Sequence, residues 1–228
     1  MNELTIVTGG TGWVGRNFLH QIQKEIPAEQ FNNKVKVFGS KESEILSTAY
    51  STIKQIKIPI YPLNSLNKMF NKTKRIYLIH SAFIRREKLS NMSINNYIKI
   101  NRQITNIICK FITSNQNCKV LNISSGAASN FDNTKNGIQS DPYGFLKFES
   151  EKKLGSISNC LQLRIFSLTG KFITSPELFA FGDFLISAVK KKPIKIKARN
   201  QVIRSYGFAS DIAKFGLHWL RTVEPYPY

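Results

Sequence analysis

Eight residues near the start of the chain limit its architecture more than any other stretch. Thr8-Gly9-Gly10-Thr11-Gly12-Trp13-Val14-Gly15 lies between a β-branched apolar run, Glu3–Thr8, and a helix-like stretch from about Trp13 to Glu25. It satisfies two glycine registers, Gly9-x-x-Gly12-x-x-Gly15 and Gly10-x-Gly12-x-x-Gly15. Glycine permits a tight strand-to-helix turn, lets backbone N–H groups approach a pyrophosphate, and allows close packing of helix on strand. The helix then turns the positive end of its dipole towards the phosphates. At this place, after a strand and before a helix, the pattern predicts a dinucleotide cradle. Gly9, Gly12, Trp13, Val14 and Gly15 are its candidate cofactor contacts. Trp13 has two readings there, a backbone cover for the pyrophosphate or plain packing.

The rest of the chain keeps a strand–helix rhythm. Lys34–Phe38, Gln55–Ile60, Arg75–His80, Cys118–Ile123 and Cys160–Phe166 read as further strands. Ile94–Thr113 and Tyr143–Leu154 read as helices. Short apolar strands alternating with helices predict a doubly wound parallel sheet covered on both faces. After Gly170 the rhythm changes to a helix at about Leu178–Lys190, short strands at Ile194–Ile196 and Arg204–Phe208, and a last helix from Asp211. The predicted division is a nucleotide-binding domain over 1–170 and a small, incomplete substrate lobe over 171–228.

Composition narrows the classes. Hydrophobic residues are 42% and charged residues 21% of 228, which excludes a disordered chain. Cysteines at 109, 118 and 160 form neither a disulfide framework nor metal-ligand pairs. No apolar run approaches the roughly 18 residues of a membrane span, and no secretory signal is visible. A cytoplasmic protein is expected. The net charge of +19 attracts polyanions and phosphorylated small molecules. The basic residues are scattered, though, with Lys190-Lys191-Lys192 the densest run, so compositional drift explains most of the charge.

Two further places carry chemistry. The second strand ends in Val37-Phe38-Gly39-Ser40-Lys41, without the acid that would bind an adenosine 2′-hydroxyl. Ser40 can donate to a 2′-phosphate and Lys41 can neutralise it, so NADP is preferred, with NAD the alternative. The fifth strand ends in Ser124-Ser125-Gly126, and Pro142 then opens a helix carrying Tyr143 and Lys147. Their i,i+4 spacing puts both on one helical face. An ammonium near a phenol favours the phenolate, so Lys147 is expected to lower the Tyr143 pKa and fit it for proton exchange with an alcohol or carbonyl. A serine at that strand edge can bind the same oxygen.

Together these residues resemble the extended short-chain dehydrogenase/reductase family of nucleotide-sugar epimerases, dehydratases and reductases, over nearly the whole chain. Thr8–Gly15 resembles TGxxGxxG, His80-Ser81-Ala82-Phe83 resembles H-x-A-A, and Asp141–Lys147 resembles P-Y-x-x-S-K. Leu163–Gly170 resembles L-R-x-x-N-x-x-G, and Val202–Ala213 resembles R-D-F-x-x-V-x-D-x-A. The resemblance implies that the Ser81-Ala82 backbone runs along the cofactor and that Asn101 holds its helix and a water near the catalytic lysine. It maps the family's Ser/Thr to Ser125, with Ser124 the alternative register. It puts Phe166 by the nicotinamide, and Ser167 and Arg204 by the substrate, Arg204 on its pyrophosphate. Departures are Ser167 for Asn, Ser205 for Asp, and the absence of the family's last sheet strand after the final helix. Gly126-Ala127 stands where dehydratases carry Asp-Glu, which disfavours dehydration.

The resulting expectation is an NAD(P)-dependent epimerase or reductase of a nucleotide sugar, with Ser125, Tyr143, Lys147 and Asn101 as the catalytic set. Its partners are a nucleotide-sugar substrate and a second copy in a homodimer, with no membrane, no metal and no nucleic acid. The alternative is a catalytically degraded NADP-binding regulator or RNA-binding protein.

Overall fold

The computed structural model describes residues 3–51, 54–68, 75–132, 137–196 and 198–222. Its centre is a seven-stranded sheet built from β1 (Glu3–Thr8), β2 (Val35–Gly39), β3 (Ser43–Leu46), β4 (Lys57–Pro62), β5 (Arg75–His80), β6 (Cys118–Ser125) and β7 (Cys160–Ile165), in the order β3-β4-β2-β1-β5-β6-β7. All neighbouring pairs are parallel except β3 with β4. The carboxyl ends of β1, β2, β5, β6 and β7 therefore open on one edge, where the chain order reverses around β1. That edge is where open parallel sheets bind ligands.

Period-two alternation along the strands fills a core on each face. Val7, Val37, Ile79 and Leu121 pack on one side with Phe18, Leu19 and Ile22 of α1 (Trp13–Gln23), beside α2 (Ala28–Lys34). Ile6, Phe38, Leu78 and Val120 pack on the other with Ile108, Phe111 and Ile112 of α3 (Ile94–Ser114) and Leu154 of α4 (Pro142–Gly155). Beyond the sheet, β8 (Leu168–Thr169) pairs with β9 (Gly207–Phe208), and α5 (Ala180–Val189) lies between them in the chain. α6 (Ala209–Arg221) returns to the first core through Ala213, Leu217 and Leu220. Each buried leucine there contributes roughly 1.5–3 kcal/mol. Lys119 stops that helix by donating to the carbonyls of Trp219 at 2.6 Å and Thr222 at 2.8 Å, a cation at the negative end of a helix dipole.

The Rossmann-type sheet agrees with the sequence reading, and three details correct it. Ile194–Ile196 forms no strand, and only Gly207–Phe208 of the predicted 204–208 strand is extended pairing. The large apolar residues there are exposed, Ile194 to 51%, Ile196 to 77% and Tyr206 to 43%, so no packed face holds them in a sheet. The edge strand β3 and the short α2 escaped prediction. β3 buries no residue fully and α2 buries only Phe31, which leaves no periodic apolar signal. No helix among the described residues is long and apolar enough to cross a membrane.

Candidate active site

The cradle is built by three glycines with different tasks. Gly9 adopts φ +73°, and a Cβ there would lie 2.7 Å from the Ala82 nitrogen. The close approach lets the loop after β5 run against the turn, pinned by the Ser81 hydroxyl on the Thr8 carbonyl at 2.6 Å. A Cβ on Gly15 would strike the Gly9 carbonyl oxygen at 2.3 Å, so that glycine lets α1 sit on the turn. A Cβ on Gly12 would meet only the Gly9 oxygen, at 3.3 Å, and otherwise open space. Gly12 is also the N-cap of α1 and offers no side-chain cap, which leaves the first-turn N–H groups facing outwards.

These glycines form one wall of a cleft of about 960 Å³. Ser40, Ser81, Ala82, Ser125, Tyr143, Lys147, Phe166, Ser167 and Arg204 line it together with Gly9, Gly12, Trp13, Val14 and Gly15. Two expected residues lie elsewhere. Lys41 is exposed in the turn after Ser40 and is not part of the wall. Asn101 is 1% exposed and stands behind the wall. Its Oδ1 accepts from the Ile84 nitrogen at 2.8 Å and its Nδ2 donates to the Tyr97 carbonyl at 3.2 Å. The structure thus gives Asn101 a positioning role, tying α3 to the loop after β5. The Trp13 indole donates to the Lys171 carbonyl at 2.7 Å and meets the Phe179 ring edge-on, so this side chain fastens the 171–179 segment to α1 while its backbone borders the cleft.

Opposite the cradle, the end of β6 meets the start of α4. Asp141 caps α4 by accepting from the Gly144 nitrogen at 3.2 Å, and Pro142 enters the first turn. The two candidate serines separate here. The Ser125 hydroxyl accepts from the Ala127 nitrogen at 3.2 Å and is a hydrogen-bonding neighbour of the Tyr143 phenol. The Ser124 hydroxyl is buried without a partner among the described residues. Gly126 carries the Phe166 ring, whose nearest atom would lie 2.3 Å from a Cβ at that position.

Electrostatics overturn one expectation. Burial raises the Tyr143 pKa above its usual value, against smaller lowering effects from Ser125 and the Arg86 guanidinium. Lys147 is not among the groups that act on it. The Lys147 ammonium instead donates to the Ile123 carbonyl at 2.7 Å and lies 4.1 Å from the centre of the Phe83 ring. Burial drops its own pKa to about 7, with Glu151 opposing the fall. The cation facing the phenol is Arg86, 5.2 Å from the Tyr143 ring centre and held by Asp141 at 2.6 Å. Spacing along one helix could not reveal it, because Arg86 arrives from the loop after β5. His80 is wholly buried, bonded to the Thr8 hydroxyl at 2.9 Å, and lowered to about 3 first by burial and then by Lys147. It is a neutral core histidine.

Comparison with known proteins fits this geometry. The profile of the NAD dependent epimerase/dehydratase family matches residues 5–227. No curated protein matches the chain significantly. Among solved structures, TunA, an NAD dependent NDP-hexosamine 5,6-dehydratase of tunicamycin biosynthesis, superposes with a TM-score of 0.72 at 14% identity, over 99% of this chain and 74% of that one. A UDP-N-acetylglucosamine 4-epimerase from Methanobrevibacter ruminantium M1, in complex with UDP-N-acetylmuramic acid, gives 0.71 at 17% identity over 98% and 75%. A UDP-glucuronic acid 4-epimerase from Bacillus cereus, in complex with NAD, gives 0.65 at 16% over 97% and 74%. At these identities the likeness is one of fold.

Proposed function

The chain belongs to the NAD dependent epimerase/dehydratase family, and from that premise we propose that its cleft carries out epimerisation or reduction of a nucleotide-activated sugar. The observation that carries the reading is the meeting of Ser125, Tyr143 and Lys147 at the same cleft as the glycine cradle.

The residues present fit a nicotinamide dinucleotide. Gly12 faces open space, and the uncapped start of α1 offers N–H groups to a diphosphate. Gly9, Gly12 and the Trp13–Gly15 backbone would hold the diphosphate, with Ser81-Ala82 beside it and Phe166 by the nicotinamide. Ser40 lines the cleft at the end of β2 with no acid beside it, which supports NADP over NAD. When bound, the nicotinamide supplies or accepts the hydride.

This chain's own residues handle the proton and the orientation. Ser125 binds the reacting oxygen of the sugar. Tyr143 exchanges the proton at that oxygen, and its raised pKa means that it starts as the neutral phenol at neutral pH. In that state it donates to a carbonyl, the reductive direction. Lys147, which lines the cleft, would hold the ribose hydroxyls. Ser167 and Arg204 border the cleft from the lobe side, where the Arg204 fork suits a sugar-nucleotide pyrophosphate. Glu87 is the only carboxylate among the described residues lining the cleft. Gly126-Ala127 after Ser125 offers no acid–base pair, which supports epimerisation or reduction over dehydration.

The test is turnover of a panel of nucleotide sugars with NADP(H) and NAD(H), read by mass spectrometry, in wild type and Tyr143→Phe. Cofactor binding should survive the substitution while the rate falls roughly 10²–10⁴-fold. Equal rates at matched cofactor saturation, or binding without turnover of any sugar nucleotide, would sink the reading.

A further inference from the structure

Lys147 occupies an expensive position. It is 7% exposed, and among the described residues its one hydrogen bond is to a neutral carbonyl, that of Ile123. A buried ammonium needs a counter-charge or it loses its proton. From β5 comes His80, neutral and unable to help. From the loop after β5 comes the Phe83 ring. On α4 itself, Tyr143 lies one turn before Lys147 and is an un-ionised phenol at neutral pH. One turn after it lies Glu151, 6% exposed, a carboxylate that opposes the effect of burial on Lys147.

Glu151 is not free to move towards or away from that role. Arg164 on β7 grips it with two groups, Nε at 2.9 and 3.2 Å from the two carboxylate oxygens and Nη2 at 2.7 Å from Oε2. A lone Glu–Arg pair would be neutral overall and would offer Lys147 little field. Here the same guanidinium is shared with Asp132, whose Oδ1 accepts from Nη2 at 2.7 Å. Two carboxylates share one guanidinium, so these three groups carry one net negative charge, with Lys152 acting on Asp132 at the exposed end. Asp132 follows the 3-10 turn over Gly126–Phe131, which packs on α4, so the cluster links β7, α4 and the turn that follows Ser125.

We propose that Glu151 is the counter-ion that favours the charged form of Lys147 in the cleft, and that Arg164 and Asp132 hold it in that role as positioning residues. The proposal rests on the reading of Lys147 as part of the reacting site. It adds that the pH at which the site loses its cation is set from outside the cleft, through a carboxylate that touches neither cofactor nor substrate.

The test reads the amine directly, in the full chain labelled with [¹³Cε]lysine. The Lys147 resonance is identified by its loss in Lys147→Met, and its pH titration is followed by NMR. In the wild type its midpoint should lie near neutrality, at about 7. Glu151→Gln should move the midpoint down by about one pH unit or more, and Glu151→Asp, which keeps the charge, should return it towards wild type. Asp132→Asn, at the exposed end of the cluster, should move it the same way by less. A midpoint unmoved in folded Glu151→Gln overturns the proposal and leaves the cluster a strut. If Glu151→Gln does not fold, an unmoved midpoint in Asp132→Asn does the same. Because the signal is an ionisation and not a rate, it stands or falls separately from the Tyr143→Phe turnover test.

Discussion

Replacing Lys147 with methionine should stabilise the protein at low pH relative to high pH, by an amount the structure allows to be worked out. Methionine fills much of the same apolar space and removes only the ammonium and its bond to Ile123. Folding takes the ammonium from water to a site where its pKa falls from 10.5 to about 7. At roughly 1.4 kcal/mol per pH unit, the whole gap amounts to roughly 5 kcal/mol. The sign follows from proton counting. Below pH 7 both folded and unfolded chains hold the proton, and the folded state bears the full cost of the buried charge. Between about 7 and 10.5 the unfolded chain keeps the proton and the folded one has lost it. The unfolded state then binds more protons, so wild-type stability rises with pH across that window. The methionine variant lacks this rise. The folded amine is already half deprotonated at pH 7, so the variant's stability relative to wild type should fall by roughly 2 kcal/mol between pH 7 and 9. The orphaned Ile123 carbonyl adds a pH-independent loss of about 1 kcal/mol. Urea unfolding of both proteins at several pH values, followed by the fluorescence of Trp13 and Trp219, measures the difference. Cys118 and Cys160, raised to about 12 by burial, act in the opposite sense above the ordinary thiol range, but equally in both proteins. His80 titrates differently in the two states only below about 6.5 and lies outside the window. A stability difference that is flat from pH 7 to 9 would refute the assignment of a buried, strained ammonium.

Gly12→Val should abolish tight dinucleotide binding by calorimetry while changing stability by no more than about 1 kcal/mol, because its Cβ would meet only the Gly9 carbonyl oxygen, at 3.3 Å; retained full-strength binding would remove the cradle from the mechanism. Titration with both dinucleotides should find NADP(H) bound more tightly than NAD(H), and Ser40→Ala should narrow the gap, since Ser40 lines the cleft and Lys41 does not. Equal or tighter NAD(H) binding in the wild type would rule that preference out.

Local sequence was enough for the parts of this protein whose contacts lie within one element or one turn. The Gly9–Gly15 spacing specified strand, cradle and helix, because a left-handed Gly9 and a Cβ-free Gly15 are demands of that turn alone. The i,i+4 pair Tyr143 and Lys147 and the Ser-Ser end of β6 likewise followed from helix and strand periods. The choice between Ser124 and Ser125 did not, since it depends on which hydroxyl meets a phenol on another element. Nor did the outcome at 194–196 and 204–206, stretches read as strands whose residues are exposed and meet no packing face. Charge states were the least legible of all. Sequence placed an ammonium one turn from a phenol and predicted that it would lower the phenol's pKa, which burial instead raises. The fold buried the ammonium and part of the phenol, turned the ammonium to Ile123, brought Arg86 to the ring from the loop after β5, and paired Glu151, one turn after Lys147, with an arginine from β7. Spacing determines which side chains can share a face, but desolvation and the charges supplied by distant segments determine which of them carry a proton, and only the tertiary structure brings those together.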